Sequence, residues 1–511
     1  MTDVHAQAQA NEKRWWILGV LCLSLVMVIL GNTVLNVAIP TLVRELDASA
    51  TELQWIVDAY ALVFAGLLLT CGALGDRFGR KGALQAGLVI FGLASIVSTQ
   101  ATAPGHLIAT RAVMGVGAAL VMPATLSVLA NVFPPQERAR AIAIWAGLAG
   151  GGAAIGPIAG GWLLEHFYWG SVFFLNLPVV GIALLAGGVL VPTSKDPAQP
   201  PLDIVGALLS IAGLGSLLYA IIEAPNHGWA AGETLLGFAL AAVLLGVFAW
   251  WELRTEHPML DLRFFRDPRF TTSSMAVMLV FFAMFGTFFL MTQYLQLVQG
   301  YSALGAGFRT LPSALVMMVM SPNSARLVER FGARTIVSIG LCLVSLGLLG
   351  MTTLGVDTTY WQFFACLLVM SSGMSMVMPP CTALIMSSLP LGKAGVGSAV
   401  NDTTRELGGA LGVAVLGSVL ASIYSSNLGD TVAGLPDEVA AIATSSLGGA
   451  LQLVDVPGLA DAAKQAFVDG LGVATIVGAG VALAGALLVR RLLPPLHHVV
   501  DEAEALAQDV A

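Results

Sequence analysis

Charged residues are scarce in this chain of 511 residues: only 11% are Asp, Glu, Lys or Arg, whereas 57% are hydrophobic. A soluble protein of this length could not keep so much apolar surface away from water. We therefore expect a polytopic membrane protein. The net charge of −8 says little about a partner, because much of the acid lies in loops and tails. A nucleic-acid partner is not expected.

Cysteine and histidine are also few. The five cysteines lie in apolar runs with no paired spacing, and the seven histidines show no metal-ligand spacing. The chain has no P-loop with a Lys and no catalytic-triad pattern, so ATP drive and enzymatic catalysis are not expected. We expect no metal and no cofactor.

Long apolar runs take up most of the sequence. We predict fourteen all-α membrane spans of about 17–25 residues each. They are 15–38, 53–74, 83–101, 106–130, 139–164, 169–191, 202–222, 233–252, 270–292, 307–325, 335–354, 360–386, 395–424 and 471–490. The first run exceeds a signal-peptide core, so we expect it to be retained. Short surface helices are expected between the last two spans.

Most of the 23 Lys and Arg residues fall on one side of the membrane if the N-terminus is cytoplasmic. Basic residues favour the cytoplasmic side of a membrane protein. This bias predicts cytoplasmic N- and C-termini and a multi-pass protein of the plasma (inner) membrane. Small molecules, protons and the lipid bilayer are the expected partners, and we expect a monomer.

An internal repeat divides the chain. Residues 72–81 follow the second span and residues 325–334 follow the tenth; the two stretches match at Arg77/Arg330 and Gly79/Gly332, among other positions. Two parallel repeats around a central site are typical of transporters. The predicted organisation is a cytoplasmic tail 1–14, a six-helix bundle 15–192, two inserted helices with their loops 193–265, a six-helix bundle 266–490 with an extracellular loop 425–470, and a cytoplasmic tail 491–511.

One face of the fifth span consists of glycines and therefore has no side chains. Gly152, Gly156 and Gly160 are four residues apart and therefore share one face. Another helix can pack directly on such a backbone. Pro157 removes a backbone donor and favours a kink, and Gly161 extends the small-residue stretch. The pattern alone indicates either a static packing motif or a pivot.

Several stretches, taken in order, resemble signatures of the major facilitator superfamily, within it the fourteen-helix branch of drug–proton antiporters. They are Gly72–Lys81 (the cytoplasmic loop signature), Arg111–Ala119 (fourth helix), Gly152–Gly161 (the antiporter signature), Phe173–Pro178, Trp251–Glu252 and Asn401–Gly408. The resemblance implies a major facilitator fold of two six-helix halves plus two inserted helices. It also implies proton-coupled efflux of hydrophobic, cationic small molecules by alternating access. Export of an endogenous metabolite or lipid, import, and a non-transporting scaffold or sensor remain alternatives.

One position departs from that branch. The branch usually carries an Asp in the first helix, and this chain has Gly31 there. A proton or cation role at that position cannot be carried over, so other carboxyl groups must be considered.

The thirteenth span contains three ionisable residues that are close together on one helix. Asp402 and Glu406 are four residues apart and share a helix face, and Arg405 is close to both. With all three ionised the cluster carries one excess negative charge, so one carboxyl can exchange a proton for a cation. The alternative is that Arg405 pairs with both acids and that the three residues only stabilise the position of the helix.

A second set lies in the N-terminal half. We expect Asp58 of the second span and Arg111 of the fourth to lie at similar depth, where they could pair. The pair could be structural, or Asp58 could supply the protonatable group that Gly31 lacks.

The superfamily resemblance also implies a cytoplasmic charge latch that holds one state of the transport cycle. It would be made by Gly72, Asp76, Arg77, Gly79 and Arg80.

Aromatic and Met side chains recur at helical spacing in several spans. They either pack against other helices or line a substrate cavity, where they would bind a cation through cation–π and adaptable contacts. The candidate lining residues are Trp55, Tyr60, Phe281, Phe285, Met374 and Met378.

Overall fold

The computed structural model describes residues 2–46, 50–196, 202–453 and 456–495, and the regular structure in these ranges is entirely helical. The α-helices are α1 Thr2–Leu46, α2 Ala50–Phe78, α3 Arg80–Ser98, α4 Pro104–Val132, α5 Pro135–His166, α6 Ser171–Phe174, α7 Asn176–Leu190, α8 Ile204–His227, α9 Gly232–Glu252, α10 Pro268–Gln293, α11 Ala303–Phe331, α12 Ala333–Met351, α13 Tyr360–Ser387, α14 Ala394–Val432, α15 Asp437–Ser445, α16 Leu447–Gln452 and α17 Leu459–Leu492. Helix α10 continues into a π turn, Tyr294–Val298.

Each of the fourteen predicted spans has a helix. Within the described residues, 13 helical stretches are long and apolar enough to cross a membrane, and α6 with α7 forms one of them, Ser171–Leu190. The remaining span corresponds to α5, a continuous helix of 32 residues. The predicted all-α membrane architecture is confirmed.

Several boundaries differ from the sequence prediction. Helix α1 begins at Thr2, so it includes the described residues of the predicted tail 1–14 as well as the first span. Helix α2 runs to Phe78 and α3 starts at Arg80, so only Gly79 separates them. The surface helices expected after the thirteenth span are present as α15 and α16. Most of the tail 491–511 lies outside the described residues.

The internal repeat has the same local backbone in both halves. Gly79 precedes α3 with a φ of 124°, and Gly332 precedes α12 with a φ of 79°. A residue with a Cβ is strained at such angles, so glycine allows the abrupt reversal between consecutive spans. The sequence match at these two positions therefore corresponds to a shared turn.

The helices after these turns also pack alike. In the N-terminal half, a Cβ on Gly87 would lie 2.6 Å from the carbonyl oxygen of Gly117 on α4. In the C-terminal half, a Cβ on Gly340 would lie 2.7 Å from the carbonyl oxygen of Gly373 on α13. Both helix pairs thus meet backbone to backbone, as expected for small residues at membrane-helix interfaces.

The halves meet along two seams, α2 against α14 and α5 against α11. At the first, a Cβ on Gly72 would lie 2.6 Å from the carbonyl oxygen of Gly395, and the reverse distance is also 2.6 Å. At the second, a Cβ on Gly147 would lie 3.2 Å from the carbonyl oxygen of Met317. The α2–α14 seam is therefore closed at the end where α14 begins.

The inserted helices lie beside the α2–α14 seam. Helix α8 packs against both α2 and α14, and α9 packs mainly against α8. The rings of Trp55 and Tyr219 stack at 6.0 Å between α2 and α8. At the other end, Asp203 caps α8 and accepts a hydrogen bond from the indole of Trp251 on α9 at 2.9 Å.

One ion pair connects the N-terminal part of α1 to the first turn of α5. The Arg14 Nε atom lies 2.6 Å from Oε2 of Glu137. The hydrogen bond from Arg14, followed by its charge, lowers the pKa of the Glu137 carboxyl below its usual value. Both side chains are partly exposed, so solvent and salt screen the interaction.

Candidate functional site: a carboxylate cluster on α14 and a cytoplasmic contact at its start

The predicted cluster on α14 is in the interior. Asp402 is 1% exposed and Arg405 is 6% exposed, and Glu406 is half-buried. Glu406 lies roughly 18 Å along the helix from Ala394 at 1.5 Å per residue. The three side chains are therefore near the middle of the membrane.

Asp402 is held by several donors. Its Oδ1 atom accepts from Nη1 of Arg405 at 3.4 Å and from Nδ2 of Asn401 at 3.2 Å. Its Oδ2 atom accepts from the hydroxyl of Ser398 at 3.5 Å. Asn401 in turn accepts from Thr382 of α13 at 3.1 Å. A buried carboxylate with this many donors is fixed in place.

Arg405 lies between two aromatic rings. Its guanidinium carbon is 5.2 Å from the ring centre of Trp145 on α5 and 5.1 Å from that of Phe281 on α10. Its Nε and Nη2 atoms are buried without a hydrogen-bond partner among the described residues. Only one of its nitrogen atoms thus reaches an acid, Asp402.

Glu406 differs from Asp402 in its surroundings. Within the described part of the chain, no hydrogen-bond donor reaches its carboxylate, and Asp402 and Arg405 act on it through their charges. It also interacts electrostatically with Tyr60 on α2, which belongs to the other half. Glu406 is therefore the carboxyl group of the cluster left without a direct partner.

Arg111 has partners other than the expected one. The side chain is fully buried; Nε donates to the carbonyl of Ile56 at 3.0 Å and Nη1 to that of Gly31 at 2.7 Å. Its guanidinium carbon is 4.4 Å from the Tyr60 ring centre. The predicted pairing with Asp58 was wrong, because two backbone carbonyls and a ring surround the guanidinium instead.

The glycine at position 31 has a packing explanation. A Cβ at Gly31 would lie 2.6 Å from Cζ of Phe91, a residue that is fully buried. The Phe91 ring thus occupies the space that a first-helix carboxylate would need. Arg111 consequently bonds to the backbone of Gly31 rather than to an acid there.

The predicted latch residues meet the start of α14. The Asp76 carboxylate accepts from the backbone N–H of Gly395 at 3.0 and 2.8 Å, and from that of Val396 at 3.2 Å. Ser127 of α4 also donates to it, at 3.3 Å. An acid at a helix N-terminus satisfies unpaired N–H groups and complements the helix dipole.

The cation of this contact is Arg80. Its Nη2 atom lies 2.8 Å from Oδ1 of Asp76 and also donates to the carbonyl of Gly392 at 3.2 Å. Arg80 is 1% exposed, whereas Arg77 is half-buried and lies over the Phe78 ring. Asp76 and Arg80 thus connect the N-terminal half to the first residues of α14.

The glycine face of α5 packs against α1. A Cβ on Gly160 would lie 3.0 Å from Cγ1 of Val34, and one on Gly156 would lie 2.9 Å from Cβ of Thr33. Gly161 is buried. The helix backbone continues through Pro157, whose side chain lies outside the described residues.

The candidate cavity residues fall into different environments. Tyr60, Met374 and Met378 are buried, at 1%, 1% and 3% exposure, and Phe281 is buried beside Arg405. Phe285 is 39% exposed and stacks on Phe281 at 5.7 Å. A lining role for this set stays a prediction.

Three residues that the sequence did not single out contribute to these sites. Trp145 contacts Arg405, Gly395 binds Asp76, and Phe91 fills the space beside Gly31. Trp145 is a lone aromatic residue in an Ala- and Gly-rich stretch, and Gly395 lies in a glycine cluster at the start of its span. Among the described residues, His, Cys, Asp and Glu form no group of three that could hold a metal ion.

Comparison with known proteins agrees with this geometry. The family model of the Major Facilitator Superfamily matches residues 21–413. The chain is 37% identical to the multidrug efflux pump LfrA of Mycolicibacterium smegmatis, over 93% of this chain and 96% of that protein. It is 35% identical to the methyl viologen resistance protein SmvA of Salmonella typhimurium, over 89% and 93%. It is 33% identical to the tetracenomycin C resistance and export protein of Streptomyces glaucescens, over 96% and 94%.

A solved structure of the same architecture is that of the human organic anion transporter MFSD10. It superimposes with a TM-score of 0.59 at 14% identity, covering 93% of this chain and 98% of the other. At that identity the likeness concerns the fold alone. The matched family model and the relatives above establish that this chain belongs to the Major Facilitator Superfamily.

Proposed function

We propose that this protein is a proton-coupled efflux transporter that exports hydrophobic, cationic small molecules across the plasma membrane. Its relatives are a multidrug efflux pump and resistance proteins, one of them named for a cationic compound, methyl viologen. The bias of Lys and Arg along the sequence supports cytoplasmic termini. Alternating access of the two halves would carry the substrate, with no cofactor besides the proton gradient.

The observation that carries the proposal is the charge imbalance on α14. A buried acid, Asp402, and a half-buried one, Glu406, share one buried cation, Arg405, and the cation is directed to Asp402. Glu406 has no donor among the described residues. An acid in the membrane interior is costly when ionised, so it binds either a proton or a substrate cation.

The exchange follows from this competition. A substrate cation that enters from the cytoplasm or the inner leaflet stabilises the Glu406 carboxylate and displaces its proton. The halves then rearrange at their seams, α2 against α14 and α5 against α11, while the glycine face of α5 stays packed against α1 within the N-terminal half. Protons from outside bind the carboxylate and release the cation. Asp402, which also accepts from Asn401 and Ser398, keeps the cluster in position.

The cytoplasmic contact would control which side is open. Asp76 binds the first N–H groups of α14, the same helix that carries Glu406. Its bonds to Gly395 and Val396 hold the cytoplasmic ends of α2 and α14 together. Breaking them allows that end of the seam to open, so Asp76 and Arg80 act as the cytoplasmic charge latch.

The test is Glu406→Gln in reconstituted liposomes, with ethidium as the substrate and an imposed pH gradient. The amide keeps the size of the side chain and cannot exchange a proton at neutral pH. We expect gradient-driven ethidium transport to fall at least about 100-fold, within the range for loss of an essential proton-transfer group. Glu233→Gln, at a side chain that is 84% exposed, is the matched control and should transport normally. Normal proton-driven transport by Glu406→Gln would exclude the assignment.

Export of a self-made compound is a second candidate. It is favoured by the Streptomyces glaucescens relative, whose name describes both resistance and export. A growth-inhibition panel of dyes, quaternary ammonium compounds and antibiotics, with and without expression, separates the two. Broad protection against cations supports the first proposal, and protection against a single antibiotic class supports the second.

A further inference from the structure

A cation–π contact crosses between the two halves at the level of the carboxylate cluster. Trp145 belongs to α5 of the N-terminal half, and the guanidinium of Arg405 belongs to α14 of the C-terminal half. The guanidinium carbon lies 5.2 Å from the indole ring centre. Trp145 is fully buried, so water does not screen the contact.

The second aromatic ring beside Arg405 belongs to the same half of the protein as Arg405. Phe281 lies 5.1 Å from the guanidinium carbon, but it belongs to α10, which packs closely along α14 in the same half. When the halves move relative to each other, Phe281 travels with Arg405, whereas Trp145 does not. The two aromatic neighbours therefore provide an internal comparison.

Two nitrogen atoms of the Arg405 guanidinium donate no hydrogen bond to the described residues. Its Nε and Nη2 atoms are buried with no partner among the described residues, and it reaches Asp402 through one bond of 3.4 Å. Glu406 is the next residue on the helix and receives no donor from that part of the chain. Unmet buried donors next to an unmet carboxylate favour a rearrangement that joins them.

We propose that Trp145 is a positioning residue: its contact with Arg405 keeps the guanidinium turned away from Glu406 while the cytoplasmic seam is closed. When the seam opens, Trp145 withdraws, Arg405 pairs with the ionised Glu406, and the Glu406 proton passes to cytoplasmic water. The incoming substrate cation then takes the place of Arg405 at the carboxylate. The remaining titratable groups that act on Glu406 are Asp402 on α14 and Tyr60 on α2. This inference rests on the proposed proton exchange.

The direction of proton movement follows from this geometry. With the cytoplasmic seam closed, Glu406 lacks a stabilising donor, so it takes up a proton. With the seam open to the cytoplasm, the pairing with Arg405 favours release of that proton inside. Removing Trp145 would let Arg405 pair with Glu406 in both arrangements, and proton uptake would no longer depend on the movement of the halves.

The experiment measures protons moved per ethidium in liposomes that hold the full-length protein and a pH-sensitive dye. Trp145→Leu removes the ring, Trp145→Phe keeps an aromatic ring, and Phe281→Leu removes the ring that moves with Arg405. We expect Trp145→Leu to lower the proton-to-ethidium ratio about fivefold or more, as for loss of a buried cation–π contact. Ethidium binding should stay within about twofold, Trp145→Phe should restore most of the ratio, and Phe281→Leu should lower it less than Trp145→Leu does.

An unchanged ratio in Trp145→Leu, or an equal loss in Phe281→Leu, would overturn the inference. A parallel loss of ethidium binding in Trp145→Leu would also overturn it, because it would indicate a merely structural role. If Trp145→Leu does not fold, Arg405→Lys replaces it: the charge stays but the planar contact with Trp145 is lost. A normal ratio in Arg405→Lys would then overturn the inference. Absence of ethidium-driven proton movement in the wild type would instead refute the proposed function.

Discussion

The carboxylate of Asp76 on α2 accepts two hydrogen bonds from the backbone N–H of Gly395, the second residue of α14, at 3.0 and 2.8 Å. One side chain of the N-terminal half thereby binds the start of the helix that carries the buried carboxyl cluster. Backbone donors at a helix start are fixed in direction, so the contact is specific for an acid placed at this point. It connects the α2–α14 seam to the carboxyl cluster farther along the same helix.

Asp76→Asn should loosen this contact. The amide removes the charge, and hydrogen bonds to a charged group contribute about 1.5–3 kcal/mol. We expect the open form of the cytoplasmic seam to become roughly 10-fold or more populated. The measurement is maleimide labelling, from the cytoplasmic side, of Thr70→Cys in a variant that lacks the native cysteines. Asp261→Asn, at a partly exposed cytoplasmic acid, should leave labelling unchanged. Equal labelling rates in all three proteins would contradict the latch role.

Gly72→Ala should interfere with closure of the same seam. The new Cβ would lie 2.6 Å from the carbonyl oxygen of Gly395, and the backbone cannot give way as a flexible side chain would. Overpacking of this kind costs about 1–3 kcal/mol. We expect slower efflux with normal membrane insertion. Gly82→Ala is the control, because no atom lies within 4 Å of a Cβ there; it should be neutral or slightly stabilising. Wild-type efflux in Gly72→Ala would show that close approach at this seam is not needed.

Gly31→Asp introduces the first-helix carboxylate that the family resemblance implies for this position, and we expect it to fold poorly by itself. Its Cβ would lie 2.6 Å from Cζ of the buried Phe91. Combined with Phe91→Ala, the new acid gains room beside Arg111, whose Nη2 atom lacks a partner among the described residues. The thermal midpoint in detergent should fall in the single variant and recover in the double variant. A single variant as stable as the wild type would show that Phe91 does not decide the residue at position 31.

Glu137→Gln tests the connection between α1 and α5. Because Arg14 lowers the pKa of Glu137 below the ordinary value of 4.5, the pair stabilises the folded protein above that pH. The contribution disappears as the pH falls through the lowered pKa. We expect Glu137→Gln to lower the thermal midpoint slightly at pH 7 and to match the wild type well below pH 4.5. A difference that persists undiminished in acid would mean that packing, not charge, explains the effect.

Periodicity and composition predicted the number and order of the helices because a bilayer imposes a length and an apolar character on every span. The boundaries were less accurate: α2 and α14 continue beyond the expected apolar runs, since a helix does not end where hydrophobicity ends. For the site, Asp402, Arg405 and Glu406 could be grouped from their spacing, because neighbours on a helix are near in space whatever the tertiary fold.

By itself, the sequence determined the membrane class, the two related halves, the bare face of α5 and the presence of one excess carboxyl group on α14. These features depend on local spacing, charge and the bilayer. Only the tertiary structure decided what each buried ion contacts. Arg111 could have paired with Asp58 at similar depth, yet two carbonyls and Tyr60 surround it. Trp145 and Arg405 are separated by about half of the chain and meet only because the halves pack together.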